Sequence, residues 1–397
     1  ARSLSILAFS FHEKLKCKLS YYRPKGKQLP CQQPDVEETI MDFGAFILAQ
    51  QRGYHQSSKE VIDNSVEQTV VAEQAGFSNA WYAEHHFNNY SLSPSPLMMV
   101  AHCAAKTSTI RLGSAVCILP LYHAARFLAE VGLVDTLSNG RLELGIGSGY
   151  QQFEFERFGT SLEESGKIFS EYLDVIPKAL TQKIFEHHSE HLNIPPSSIA
   201  VRPVQDPMPP IWVTTGNPKV RERTFREGYN LFTTALLGGL DAISGLREKL
   251  DTDIANSGTD GSKTRIGFLR CAYASDNKSE IDAYLDNARF QRRLSFSLKD
   301  RTQQTDDGYL MKEIPAQNDP TIDEMRANLP VGSVNQVIER LIEEIEILRP
   351  DHIAVQTQLG DFDQKTMLKQ MELWGNTIIP AVKKAVGDKT KVAAAAE

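Results

Sequence analysis

From Met41 onward, short apolar runs alternate with longer amphipathic ones. Asp42 to Leu48 reads as a buried strand. Ser57-x-x-Glu60 is a capping box, because a hydroxyl and a carboxylate at that spacing satisfy orphan N–H groups at a helix start. Val61, Ile62, Val66, Val70 and Val71 follow at helical spacing, and Gly76 is a stop. Asn79 to Ala83 reads as strand two, Leu97 to Ala105 as a helix opened by Pro94 and Pro96, and Ile110 to Leu119 as strand three. His123 to Leu137 is helical and ends at Asn139-Gly140; Arg141 to Ile146 is strand four. Thr160-x-x-Glu163 is expected to open a long helix to about Gln182.

A loop carrying Pro195, Pro196, Pro203, Pro207, Pro209 and Pro210 precedes strand five at Ile211 to Thr214. The pattern then predicts a helix over Val220 to Glu227, strand six at Asn230 to Thr234, and a helix over Gly239 to Ala255. Strand seven is Thr264 to Ala274, followed by a helix over Lys278 to Phe296. Residues 297–329 are polar and lack periodicity, which suggests a lid over a site; the alternative is a surface insertion without a gating role. Ser333 to Leu348 is an amphipathic helix, Asp351 to Gln356 is strand eight, and Asp363 to Val386 is the last helix. Eight such units predict an α/β fold, a (β/α)8 TIM barrel over residues 41–386 with a long insertion after strand seven. An open doubly wound sheet is the runner-up, but no Gly-x-Gly-x-x-Gly follows strand one.

Composition narrows the function classes. Of 397 residues, 41% are hydrophobic and 23% charged, as in ordinary globular proteins, which excludes a mainly disordered or collagen-like chain. No apolar run reaches the ~18–20 residues that a membrane span needs. A net charge of -7 leaves no electrostatic footprint for nucleic acid. Five scattered cysteines without zinc-ligand spacing suit a reducing cytoplasm. The first forty residues differ from the rest. An apolar run, Leu4 to Phe11, precedes a cluster of lysines, the reverse of a secretory signal. Residues 1–40 therefore read as a leader in front of a start at Met41, with a native N-terminal extension as the alternative; residues 387–397 read as a tail. Seven of the 43 basic and four of the 50 acidic residues fall in the first forty, so the remainder is the more acidic part.

Barrel enzymes place reactive groups at the C-terminal ends of strands. Three segments stand out there. Glu84-His85-His86 ends strand two; alternation sends the two histidines to opposite sides, so a shared metal is disfavoured and one histidine faces the barrel mouth. A packing role is the other reading. Gly145 to Tyr150 ends strand four, with Gly147, Ser148 and Gly149 forming a backbone surface for a phosphate or a flat ring, or else a tight turn. Thr215-Gly216-Asn217-Pro218 ends strand five and opens a helix, an anion site by geometry or ordinary capping by Asn217. His187, His188 and His191 read as surface loop rather than metal ligands, and His123 either faces the site or starts a helix.

These segments, with Leu112 to Pro120, Asp135 to Arg141, Gly145 to Gly159, Pro209 to Val213 and Pro330 to Ser333, closely resemble the bacterial luciferase-like flavin monooxygenase family, in matching order from about Met41 to Lys384. The resemblance implies a barrel enzyme binding reduced FMN at the strand ends. O2 would react there to give a C4a-peroxy adduct that oxygenates a small organic substrate. It also implies a separate flavin reductase and a homodimer. His85 matches the catalytic histidine and Glu84 a neighbouring acid that orients the site. Ala115-Val116 matches a non-proline cis peptide under the flavin ring. The cofactor set is Ala115, Val116, Gly147, Ser148, Gly149, Tyr150, Glu154, Thr215, Gly216, Asn217 and Arg221, with no metal. Ser148 stands where luciferase-type relatives often carry arginine, so Arg221 is the expected phosphate cation and FMN retention is expected to be weak. The alternatives are an F420-dependent oxidoreductase on the same barrel and a non-catalytic flavin-binding barrel. A chain starting at Met41 is expected to keep its thermal transition and its activity; loss of either refutes the leader reading.

Overall fold

The computed structural model describes residues 41–300, 309–310, 313–315 and 318–394; the side chains of residues 300 and 388–394 are outside that description, as is the proposed leader. Eight parallel strands close into a barrel: β1 (Asp42–Ile47), β2 (Asn79–Tyr82), β3 (Arg111–Ser114, resuming at Cys117–Ile118), β4 (Leu142–Gly147), β5 (Ile211–Thr214), β6 (Asn230–Thr234), β7 (Ile266–Cys271) and β8 (His352–Gln356). β1 pairs with both β2 and β8, and β3 pairs with β4 across the closure. The outer helices are α1 (Ser58–Gln74), α2 (Pro96–Ala104), α3 (Ala124–Leu137), α4 (Gln152–Phe158), α5 (Ser165–Thr181), α6 (Pro218–Glu227), α7 (Leu240–Ser257), α8 (Lys278–Asp300), α9 (Ile322–Asn328), α10 (Val334–Leu348), α11 (Gln364–Leu373) and α12 (Ile379–Ala394). No helix among the described residues is long and apolar enough to cross a membrane.

Period-two alternation sorts every strand into two faces. On β1, Phe43, Ala45 and Ile47 pack outward against the helices, while Phe46 and Leu48 point into the barrel. On β2, Tyr82 faces out and bonds Thr69 of α1 at 2.7 Å, while Trp81 and Ala83 face in. The barrel floor is aromatic. Trp81 meets Trp212 edge-on at 5.4 Å and Phe232 at 5.1 Å, and its Nε1–H donates to His352 Nε2 at 2.9 Å. Two glycines make room for this ring. A Cβ at Gly113 would lie 2.3 Å from Trp81 Cε3, and one at Gly44 would lie 2.7 Å from Trp81 Nε1. His352 is 1% exposed, and burial lowers its pKa to about 3, aided by the charges of Arg265 and Lys383. It is therefore the neutral acceptor that the Trp81 indole requires.

Several elements differ from the sequence reading. Strand three is interrupted: its offset to β4 changes by one between Gly113↔Glu143 and Cys117↔Ile146, and the cis Ala115-Val116 peptide lies in the gap. The Ser114 hydroxyl fills the gap by accepting from Gly145 N–H and donating to Gly145 C=O. Thr160 does not cap α5; that helix starts at Ser165 without a side-chain cap. The proline-rich loop begins as an antiparallel hairpin, Phe185–His188 with Asn193–Ser197. A two-stranded ladder leaves outer edges where Pro195 and Pro196 sit without costing a bond. His187 and His188 are on this hairpin, where they bond Ser189 and Asn193, and His191 bonds Glu171. Strand seven ends at Cys271, and Tyr273–Ala274 instead pairs with Val331–Gly332. α8 runs on past Phe296 to Asp300, because Leu294 and Leu298 continue its buried stripe, and α12 runs past Val386 to Ala394. Within 297–329, Leu310 and Met325 are buried, so part of the presumed lid is packed structure.

His352 carries a pH dependence. Unfolded, it takes up a proton near pH 6.5; folded, it resists until about pH 3. Its contribution is therefore fully present above pH 6.5 and is lost as pH falls toward 3. Between pH 7 and 5 the loss is about 2 kcal/mol. Urea unfolding at the two pH values should show that difference shrink in His352→Gln, which keeps an acceptor for Trp81; an unchanged difference would exclude His352 as its source.

Candidate active site

Beyond the floor, the alternation on β2 continues into the residues that follow. Trp81 and Ala83 face inward, so His85 does too, while Glu84 and His86 turn away. His85 Nδ1 lies 3.1 Å from Glu154 Oε1, and the same oxygen accepts His86 N–H at 2.7 Å. Glu154 comes from α4, is fully buried, and accepts the His86 N–H on the oxygen that faces His85. The Nδ1 proton of His85 therefore points at the carboxylate, which leaves Nε2 to the cavity. The ring is wedged edge-on against Tyr90 at 4.5 Å. His86 makes its own pair: Nε2 lies 2.8 Å from Glu84 Oε1 and its ring packs on Phe158 at 4.7 Å. Glu84 Oε2 accepts the Tyr122 hydroxyl at 2.6 Å and Ile118 N–H at 3.2 Å. Burial pushes the Glu84 carboxyl up in pKa, opposed by hydrogen bonds from His86, Tyr122 and Ile118.

Two cavities meet at His85. The first, about 260 Å³, is bounded by Glu84, His85, Ala115, Val116, Gly147, Ser148, Gly149, Tyr150, Thr215 and Gly216. The second, about 430 Å³, shares Phe46, His85, Ala115, Tyr150, Thr234 and Leu269 and extends to α8. Backbone strain collects at this face: Ala49, Phe87 and Leu236, just past the ends of β1, β2 and β6, have φ of 52°, 62° and 51°. A non-glycine residue in that region costs about 1–3 kcal/mol, and such positions concentrate at functional sites.

Not every expected site residue reaches the cavity. Asn217 caps α6, its Oδ1 accepting Lys219 N–H at 2.9 Å with Pro218 at the first helical position. Arg221 is turned away from the cavity. Its Nε donates to Asp253 at 2.5 Å and its Nη1 to the Gly216 carbonyl at 3.0 Å, so its charge is neutralised behind the loop. Glu154 lines neither cavity and acts by holding His85. His123 is exposed and starts α3. The sequence reading missed Phe46, Tyr90, Thr234 and Leu269, although three of the four lie on inward strand positions that the barrel rule itself points to.

The model of the luciferase-like monooxygenase family matches residues 41–351. The chain belongs to the luciferase-like monooxygenase family. It is 60% identical over 347 residues to the Sinorhizobium fredii protein y4vJ, covering 87% of this chain and 99% of that one. It is 27% identical to the oxygenase component of flavin-dependent trigonelline monooxygenase from Acinetobacter baylyi, covering 88% and 98%. Among solved structures, the oxygenating constituent of 3,6-diketocamphane monooxygenase from Pseudomonas putida, in complex with FMN, superposes with a TM-score of 0.69 over 86% of this chain and 98% of that one, at 19% identity. An F420-dependent secondary alcohol dehydrogenase superposes with 0.66, over 86% and 99%, at 17% identity. Both structural likenesses are likenesses of fold. Membership makes this chain a luciferase-like monooxygenase-family protein, and its fold is also found in an F420-dependent enzyme.

Glu154→Leu removes the acceptor of His86 N–H and His85 Nδ1. Leaving that buried N–H unpaired should lower stability by about 1–3 kcal/mol, read by urea unfolding. Glu154→Gln retains an amide oxygen there and should lose less. Equal losses would mean that the carboxylate position is not what holds strand two to α4.

Proposed function

We propose that the protein is the oxygenase component of a two-component system, using reduced FMN and O2 to oxygenate a small organic substrate. The observation that carries this reading is the His85–Glu154 pair at the junction of the two cavities. The first cavity fits a flavin chemically. Its inner part is the flat backbone edge of Ala115 and Val116, and its outer part offers Ser148 and Thr215 hydroxyls. A Cβ added at Gly216 would meet no protein atom within 4 Å, so the backbone there opens on free space at the start of α6, where a phosphate is favoured. Ala115, Val116, Gly147, Ser148, Gly149, Tyr150, Thr215 and Gly216 would hold the group.

Reduced FMN supplies the two electrons that O2 needs, so that one oxygen atom enters the substrate and the other leaves as water. The protein's own residues do the rest. Glu154 holds His85 through Nδ1, so Nε2 takes up or returns a proton in the cavity. Glu84 holds His86 and the β3 break in place through Tyr122 and Ile118 N–H. No described cation reaches the phosphate end, because Arg221 is spent on Asp253. Retention of the cofactor is weak, which suits a cofactor delivered by a separate reductase, as the trigonelline enzyme's name as an oxygenase component suggests.

Anaerobic titration followed by admission of O2 tests the reading. Reduced FMN should bind more tightly than oxidised FMN, and protein purified without added flavin should carry well under one FMN per chain. With a turned-over substrate, His85→Ala should lower the rate of product formation by about a hundredfold. Tight binding of F420 with no response to reduced FMN would overturn the reading in favour of hydride transfer. An unchanged rate in His85→Ala would remove the histidine from the chemistry.

A further inference from the structure

The second cavity has walls of unequal character. Leu48, Leu237 and Leu269 make one side apolar. The α8 side presents hydrogen-bond donors: Arg292 and, at the exposed end, Lys299 line it, with Gln356 of β8 beside Gln291. Gln356 is 1% exposed, its Oε1 is already shared by Cys271 and Gln291, and its Nε2 has no partner among the described residues. Lys299 has no ion-pair partner among the described residues. No described carboxylate lines this cavity.

Among the described residues, the charges behind the wall do not cancel it. Arg52 bonds Asp286 and Glu313, Arg289 bonds Asp286, and Arg293 bonds Glu313 and Asp319. Asp319 lies 3.5 Å from Arg292 Nε, yet that nitrogen makes no hydrogen bond. Four guanidinium groups thus face three described carboxylates, and Lys299 adds a further positive charge. The Arg292 guanidinium lies 4.4 Å over the Phe296 ring, which fixes its plane. Planar donors in a partly desolvated apolar pocket recognise a carboxylate far better than a neutral or cationic group.

We propose that this cavity takes a small organic substrate with an apolar, ring-sized body and a carboxylate, and that Arg292 and Lys299 meet the carboxylate while Gln356 Nε2 donates to a second polar atom. The inference rests on the oxygenase reading for what happens to the substrate, since the opposite end of the cavity reaches His85 and Ala115. The acid is thereby anchored at α8, with its body directed toward the reaction centre.

Three probes of matched shape separate charge from fit: 4-butylbenzoate, its methyl ester and 4-butylbenzylamine, titrated calorimetrically into the purified full chain without flavin or oxygen. The acid should bind about tenfold or more tightly than either analogue, with a margin that narrows at high salt. The double variant Arg292→Gln, Lys299→Gln should lose that margin while its ester affinity stays within about twofold, and Arg292→Lys should restore part of it. An acid that binds no tighter than the ester, or not at all, overturns the proposal, as does a margin that survives the double variant. Because no cofactor is present, failure here is distinct from failure of the oxygenase reading, which shows instead as absent reduced-FMN binding.

Discussion

One buried carboxylate ties the reaction face together. Glu154 receives the His85 imidazole and the His86 backbone N–H on a single oxygen, joining the end of β2 to the helix after β4. A carboxyl with no exposure is costly to bury unless donors meet it. The donors here are the groups whose placement matters, so the cost of burial and the orientation of the histidine are one constraint. Glu84 repeats the device one residue earlier, linking His86 to Tyr122 and to the resumed part of β3. Strands two, three and four are thereby locked where the first cavity opens.

Below this face the barrel is a solid aromatic floor, and above it the interior is hollow. The change follows from side-chain volume along inward positions. Trp81, Trp212, Phe232 and His352 fill one level, with Gly44 and Gly113 yielding space. At the next level the inward positions are small, Ala83 and Ala115, and both line the hollow. A rigid, neutral floor and small residues above it make a cavity without needing a loop to shape it. Of the strained residues past β1, β2 and β6, Leu236 lines the second cavity.

Local and periodic features were legible in the sequence. The capping box at Ser57–Glu60, the Asn217–Pro218 helix start and the eight inward–outward strands follow rules that span a few residues. That His85 and His86 point to opposite sides followed from alternation, and the resemblance selected His85. What was not legible depends on pairings distant in the chain. Glu154 meets His85 across 69 positions, and Trp81 meets His352 across 271, distances over which no period operates. Arg221 was read as a phosphate ligand from its place one turn into α6; the competing partner Asp253 sits on a different helix. Prolines suggested a loop where a two-stranded hairpin tolerates them at its edges. On α8, Lys299 falls in the stretch whose polarity resembled an insertion, and Arg292, inside the predicted helix, meets the cavity only through the helix's packing over the barrel.

The two cavities have different electrostatics. The first ends in hydroxyls and backbone beside a neutralised arginine, while the second is lined by Arg292, Lys299 and Gln356 with no described carboxylate in its wall. A cofactor that comes and goes and a substrate that is held fit that asymmetry. The central claim, that His85 stands between bound reduced flavin and substrate in an oxygenation, is tested most directly by single turnover under 18O2. Reduced FMN, the protein and a bound substrate should give product carrying one labelled oxygen atom, with the label lost in His85→Ala. Product that forms without label, or forms equally well with oxygen excluded, would contradict it.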